Sequence, residues 1–477
     1  MPTNHTTQFD LVVRNALVAT ASDQFCCDIG IKNGRIIALA ESLESGENEI
    51  NAAGKLITPG GVDSHCHMDQ PMPHGLKMAD NFASGTLSAA CGGTTTVIPF
   101  AAQEKGKSLK DAVADYHRRA EGNAFIDYAF HLIVTDPTPD VLTQELPQLI
   151  QKGCSSFKIY LTYDDLKLND GQILDVLTVA RNEGALAMIH AENSECISWL
   201  TKKLLAAGHT APRFHAESRP MLVEREATHR AIALSELVDV PILIVHVSGS
   251  EAVEQIRWAR GQGLNIYAET CPQYLFLTAA DLGLDGYEGA KCVCSPPPRD
   301  KANQQVIWNN LRDGLFTVFS SDHAPFRYED PQGKKPDGKE VGFPFIPNGI
   351  PGLETRLPLL FSEGVGKGRI NINQFVELTA TNPAKLYGIY PKKGSIAVGS
   401  DADLIIWDRD KEIIISNDLL HHNVDYTPYE GMEIKGWPEL TLSRGKVVWA
   451  DGEIKADAGE GQFIACGLSD AAKPRIH

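Results

Sequence analysis

Eight apolar, strand-like runs follow one another through the middle of the chain: GGVDSHCH, TTTVIPF, FIDYAFHLIV, SSFKIYLT, ALAMIHAE, PILIVHVS, LNIYAET and FTVFSSDHAP. Stretches such as SLKDAVADYHRRAEG, GQILDVLTVARNEG and GSEAVEQIRWARGQG separate them and read as helices. Strands that are apolar almost throughout must be covered on both faces, as in parallel βα units. Eight such units predict an α/β fold, a closed (β/α)8 TIM-like barrel. An open doubly wound sheet usually carries a Gly-rich phosphate turn after its first strand. GGVDSHCHMDQP contains no G-x-G-x-x-G.

The chain ends have another texture. FDLVVRNALVAT, CDIGIKNGRIIALA and KLITPG are short β-branched runs, with a hairpin expected at Asn33-Gly34. The texture returns in GSIAVGSDADLIIWD, KEIIIS and LTLSRGKVVWADGEI. Residues 1–58 and 395–454 are therefore expected to form one small β-sandwich domain around the barrel of residues 59–394. The tail, 455–477, is Gly/Ala/Asp-rich and is expected to cross a neighbouring subunit or hang loose. Residues 328–342, YEDPQGKKPDGKEVG, read as an exposed loop after the eighth strand, and Asp401 and Asp403 as turn residues.

Composition excludes several classes. The 477 residues carry 44 Lys+Arg against 61 Asp+Glu, a net charge of −17, which would repel nucleic-acid phosphates. With 43% apolar residues the chain can bury a large core and is not disordered. No apolar run approaches the ~18 residues of a membrane span, and MPTNHTTQFD shows no secretory signal pattern. None of the 10 cysteines forms a C-x-x-C pair, so they read as small buried hydrophobes of a reducing, cytoplasmic compartment.

Polar residues fall where a barrel enzyme needs them, at the carboxyl ends of strands. His65 and His67 end the first run, His190 the fifth, His246 the sixth and Asp322 the eighth; Lys158 lies inside the fourth. Buried singly, such groups are costly; a shared metal centre satisfies them together. In a strand, residues i and i+2 share a side, so His-Cys-His aims two imidazoles at one point. Alone that pair is weak, but with His190, His246 and Asp322 it reads as a ligand set suited to zinc and similar ions. Lys158 is either paired with a carboxylate or a buried, nucleophilic amine, able to add carbon dioxide and become a bridging carbamate. Elsewhere, His131 reads as a satisfied barrel histidine, and His323 as facing away from Asp322. Glu192 and Asn193 are read as supports for the ligands, and His74 as a loop residue within possible reach of substrate.

GGVDSHCHMDQP, CGGTTTVIPF, SSFKIYLTY, HAEN, SRPMLVEREAT, HVSG, AETCPQYL, CSPPPR, SSDHAPF and IPNGIPGLE come in the order seen in cyclic amidohydrolases. The chain resembles most the D-hydantoinase/dihydropyrimidinase branch, from about Phe9 to about Gly452. The resemblance implies hydrolytic opening of hydantoins and dihydropyrimidines to N-carbamoyl amino acids by hydroxide held between two divalent metals. These are zinc, or alternatively manganese or cobalt. His65 and His67 match the ligands of one metal, His190 and His246 those of the other, and Lys158 the carboxylated lysine (N6-carboxylysine) bridging both. Asp322 matches a ligand that also handles the proton, and Tyr163 the phenol that polarises the substrate carbonyl. Ser295 and Asn348 match residues whose main chain holds the ring amide. The family further implies a homotetramer acting on a small cyclic amide.

Dihydroorotase-like members place Arg two positions after the H-x-H; here Asp69 stands there, against an obligatory carboxylated ring. Allantoinase, or another cyclic-imide hydrolase, is the alternative. A non-enzymatic scaffold of the same branch is remote, because all six ligand positions are filled. Met72 suits an apolar ring substituent and Lys167 does not, which leads to an expectation of some tolerance for polar or acidic substituents.

Overall fold

The computed structural model describes residues 8–475. Its centre is the expected barrel. The strands are Gly61–Cys66, Thr94–Ala102, a split third (Asp127–Tyr128 and His131–Ile133), Ser156–Tyr160, Leu186–His190, Ile242–Ile244, Ile266–Thr270 and Val318–Phe319. Neighbours pair in parallel from first to last. Closure is made between the end of the first strand and residues just past the eighth. The Asp322 N–H donates to the His65 carbonyl at 2.8 Å and the His67 N–H to the His323 carbonyl at 2.6 Å. The bonds that shut the cylinder thus also fix three of the candidate ligands.

The chain ends form a second sheet of nine strands, among them Leu11–Ala19, Gln24–Lys32, Leu56–Pro59, Leu404–Ile414 and Glu433–Ser443. Hydrogen bonding is continuous through all nine, so the layers expected of a sandwich belong to one sheet with a shared core that includes Val13, Ile29, Ile57, Leu404 and Leu442. Leu56–Pro59 is the seam, pairing with Leu11–Ala19 on one side and Leu404–Ile414 on the other. The chain passes directly from it through Gly60 into the first barrel strand. A Cβ at Gly60 would lie 2.1 Å from Thr95 Oγ1, so only glycine allows this close approach.

Three local expectations are corrected. Asp401 and Asp403 are not simple turn residues. With Asp127 they surround the buried Lys393 ammonium at 3.1, 2.7 and 2.6 Å, and Arg444 reaches Asp127 at 3.1 Å, joining barrel to sheet. The described part of the tail is not loose. Ile464 N–H donates to the Tyr128 carbonyl and Cys466 N–H to that of Gly153, while Phe463 packs against Tyr128 and Phe130 of the chain's own barrel. Residues 328–342 are not an exposed loop throughout, since Tyr328 and Lys334 within them are buried. No helix among the described residues is long and apolar enough to cross a membrane. All ten cysteines are free, Cys26 and Cys196 being exposed and the other eight buried.

Candidate active site

Six side chains meet at the carboxyl mouth of the barrel, all nearly excluded from solvent: His65, His67, Lys158, His190, His246 and Asp322. Two of the strand-end residues reach inward through unusual backbone. His246 and Asp322 have φ of +39° and +49°, as does Tyr163 at +65°. Non-glycine residues seldom occupy that region, at a cost of about 1–3 kcal/mol each, and such strain clusters at functional sites.

The ring orientations decide which nitrogens face the centre. His65 Nδ1 donates to Glu269 Oε1 at 2.6 Å, leaving the Nε2 lone pair 2.8 Å from Lys158 Nζ and 3.2 Å from Asp322 Oδ1. His67 Nδ1 donates to Gln70 Oε1 at 2.7 Å, and its Nε2 lies 3.8 Å from the same Asp322 oxygen. His190 Nε2 donates to Glu192 at 2.8 Å, so its Nδ1 faces His246 Nε2 at 2.9 Å. A buried carboxylate holds the outer nitrogen of His65 and of His190, and the half-buried Gln70 that of His67, which is how metal-binding imidazoles are oriented; His246 Nδ1 has no partner among the described residues.

Electrostatics fit the same reading. Burial, reinforced by the Lys158 charge, lowers all four imidazoles: His65 and His246 go well down, His67 to about 3, and His190 falls against the opposing pull of Glu192, which favours neutral, metal-competent rings. Burial also lowers Lys158 and raises Asp322 and Glu269. The Lys158 ammonium has no carboxylate hydrogen-bonded to it among the described residues and lies between the Phe100 and Tyr160 rings, 4.7 and 4.8 Å from their centroids. His65, His67 and Asp322 bring one ligand atom each to within 4.8 Å of one another, so this group can hold a metal ion. His190 and His246, nitrogen to nitrogen, offer a second pair, and the charge on Lys158 is felt by both and by His67. Lone pairs turned toward each other in a dry pocket fit shared cations, not a network that is complete by itself.

Beside this cluster stands Tyr163. Asn348 Nδ2 donates to its hydroxyl at 3.2 Å, Ser295 also bonds to it, and burial pushes the phenol up to about 12, so it remains a donor at neutral pH. Tyr163, Ser295 and Asn348, far apart in sequence, therefore meet. Ser295 is itself steadied by His215, 3.3 Å from its hydroxyl.

The remaining expectations sort clearly. His131 bonds Ser156 Oγ at 2.6 Å and the Ser64 carbonyl at 3.0 Å, a satisfied interior residue. His323 turns away from the centre to Asp80 at 3.1 Å and accepts from the Gly352 N–H. Glu192 orients His190, whereas Asn193 caps the helix Ser194–Ala206. His74 is exposed, 3.9 Å from Asp165. Asp69 is tied to Arg119 at 2.8 Å. Lys167 corrects an expectation: its ammonium is already engaged by Asp164 at 2.8 Å and Glu195 at 3.1 Å, so it is not waiting for an acidic substituent. Sequence reasoning missed Glu269, which accepts from both His65 Nδ1 and the His246 N–H. It ends the seventh run, where the strand-end rule that found the others applies equally. It also missed Gln70, three residues beyond His67, and Arg219, whose buried Nε lies 3.7 Å from Glu192.

Known proteins resemble this chain over nearly its whole length. Residues 56–448 match the model of the amidohydrolase family. A D-hydantoinase of Geobacillus stearothermophilus is 46% identical over 456 residues, covering 95% of this chain and 96% of that protein. The solved dihydropyrimidinase from Brevibacillus agri NCHU1002 superposes with a TM-score of 0.93 at 43% identity, over 97% of this chain and 99% of the other. An L-hydantoinase from Arthrobacter aurescens gives 0.86 at 30% identity, over 96% and 100%. The chain belongs to the amidohydrolase family and, within it, to the D-hydantoinase/dihydropyrimidinase group.

Proposed function

We propose that this chain, a cyclic amidohydrolase by family, adds water across the amide bond of a hydantoin or dihydropyrimidine ring and releases an N-carbamoyl amino acid. The observation that carries the reading is the meeting of six buried ligand-type groups with a protonated phenol at one barrel mouth.

The donor set fits two divalent cations, zinc by preference and manganese or cobalt as alternatives. His65, His67 and Asp322 would hold one, His190 and His246 the other, and Lys158, carboxylated to N6-carboxylysine, would bridge them. Bound there, the cations supply Lewis acidity and lower the pKa of the attacking water. The chain's own residues do the rest. The main chain of Ser295 and Asn348 holds the ring amide in place. The Tyr163 hydroxyl donates to the carbonyl oxygen as negative charge grows on it. Asp322 takes the proton of the attacking water and returns it to the ring nitrogen as the carbon–nitrogen bond breaks. Burial, which raises the Asp322 carboxyl, suits it to that exchange.

A homotetramer in the cytoplasm belongs to the same proposal. Free thiols throughout and exposed Trp199, Leu237 and Trp258 on the outer helices support it, and sedimentation analysis tests the assembly. The test of function is a set of initial rates on dihydrouracil, hydantoin, a 5-substituted hydantoin and allantoin, each with zinc, manganese or cobalt added. Ring opening of the first three above allantoin is expected. Absence of ring opening with every metal defeats the proposal.

A further inference from the structure

Within the polar loop 328–342 one lysine is entirely buried: Lys334 is 0% exposed. Its ammonium donates to the Val293 carbonyl at 2.9 Å and to the Pro347 carbonyl at 2.7 Å. Val293 stands two residues before Ser295, and Pro347 immediately precedes Asn348. The Val293 oxygen also accepts the Gly349 N–H at 3.0 Å. Three separate stretches of chain therefore converge on two carbonyls directly behind the segments assigned to the ring amide.

We propose that Lys334 is a positioning residue for substrate, an internal clamp that sets the spacing and tilt of the Ser295 and Asn348 backbones. The inference rests on the ring-amide reading above.

Burying an ammonium against neutral carbonyls alone is expensive, and no carboxylate pairs with Lys334 among the described residues. The loop is nonetheless folded to place it. The Lys334 N–H donates to the Arg327 carbonyl at 2.8 Å, and the Tyr287 hydroxyl donates to the Lys334 carbonyl at 2.9 Å. At Gly333 a Cβ would lie 2.1 Å from the Arg327 oxygen, so the turn that delivers the lysine admits only glycine. A loop built solely to cover the barrel has no need of this charge. The bonded acceptors explain it. The Pro347 carbonyl and the Asn348 N–H are two ends of one peptide unit, so a donor on the carbonyl fixes that plane and polarises the N–H. The Val293 carbonyl, joined in one peptide unit to the Cys294 N–H, anchors the other segment one residue ahead of Ser295. Pre-set backbone of this kind removes the ordering cost that substrate would otherwise meet.

Lys334→Met keeps the stem and removes the donors. The clamped backbone grips the ring equally before and during reaction, so the variant should raise KM for hydantoin and dihydrouracil about 10- to 100-fold while kcat changes much less. Metal content should equal wild type, and Lys334→Arg should recover part of the KM. In an active wild type, an unchanged KM in Lys334→Met overturns the clamp, as does a joint fall of kcat and metal content at constant KM. If Lys334→Met yields no soluble enzyme, Lys334→Gln decides: a KM raised threefold or more supports the clamp and an unchanged KM overturns it. A wild type that opens no ring amide defeats both the clamp and the reading it rests on, whereas unchanged KM beside an active wild type defeats the clamp alone.

Discussion

Two lysines buried at opposite ends of the barrel have contrasting surroundings. Lys393, at the junction with the nine-stranded sheet, is enclosed by Asp127, Asp401 and Asp403, and these raise its hold on the proton above the ordinary value. Lys158, at the mouth, has an imidazole nitrogen at 2.8 Å and two aromatic rings, and burial lowers its hold on the proton. Both sites remove an ammonium from water, but only one returns opposite charge. A buried charge that is fully paired has nothing further to bind, and its work is to join two parts of the fold. A buried amine left without a carboxylate is chemically available, and it is the group to which the proposal above gives the bridging role.

The contrast breaks most sharply under mutation. Lys158→Ala should abolish metal retention and lower kcat by more than ~10³, with a thermal midpoint close to that of metal-stripped wild type; metal analysis beside kinetics reads it. Lys393→Met should do the opposite. It takes the buried ammonium from three carboxylates, of which Asp127 keeps Arg444, and should cost about 3–5 kcal/mol of stability, read by denaturant unfolding, with kcat per folded molecule unchanged. Tyr163→Phe, which removes one donor beside the mouth, should lower kcat by about 10²–10³ with normal metal content. Equal turnover would remove the phenol from the chemistry.

Lys334 sharpens the comparison through pH. Burial lowers it to about 7 from 10.5, so it belongs with Lys158, not Lys393. Its folded value lies below its unfolded one, so its contribution to stability is complete above about 10.5 and is lost as pH falls through about 7. The difference in thermal midpoint between wild type and Lys334→Met should therefore shift in favour of wild type from pH 7 to pH 10. A flat or reversed trend contradicts the assignment. The smallest effect is expected at Lys167, whose partly exposed charge is already matched by Asp164 and Glu195. Lys167→Ala should move stability by less than ~1 kcal/mol and leave relative turnover of phenyl- and carboxyethyl-substituted hydantoins unaltered.

The barrel was legible because its strands are apolar on both faces, which leaves a near-continuous signal. For the same reason polar residues such as His190 and Asp322 stood out at strand ends. What escaped had no local signal. Asp127 lies more than 250 residues from Asp401 and Asp403, so their union around Lys393 follows from tertiary contact alone. The left-handed backbone at Tyr163, His246 and Asp322 carries no glycine to announce it, although Asp and His adopt that region more often than most side chains do. Lys334 was hidden by its neighbours, because Gly, Pro and Lys in one stretch read as solvent-facing loop whether or not one of them turns inward. Glu269 carries the same signal as Asp322, a carboxylate at the end of an apolar run, and is legible by the strand-end argument.

Anomalous scattering at the zinc edge, from crystals of the active enzyme grown with zinc and bicarbonate, tests the central claim most directly. The account predicts two peaks per subunit, one among His65, His67 and Asp322 and one at His190 and His246, with a carboxylated Lys158 side chain joining them. No peak at the barrel mouth, or zinc bound elsewhere beside an unmodified Lys158 amine, would contradict it.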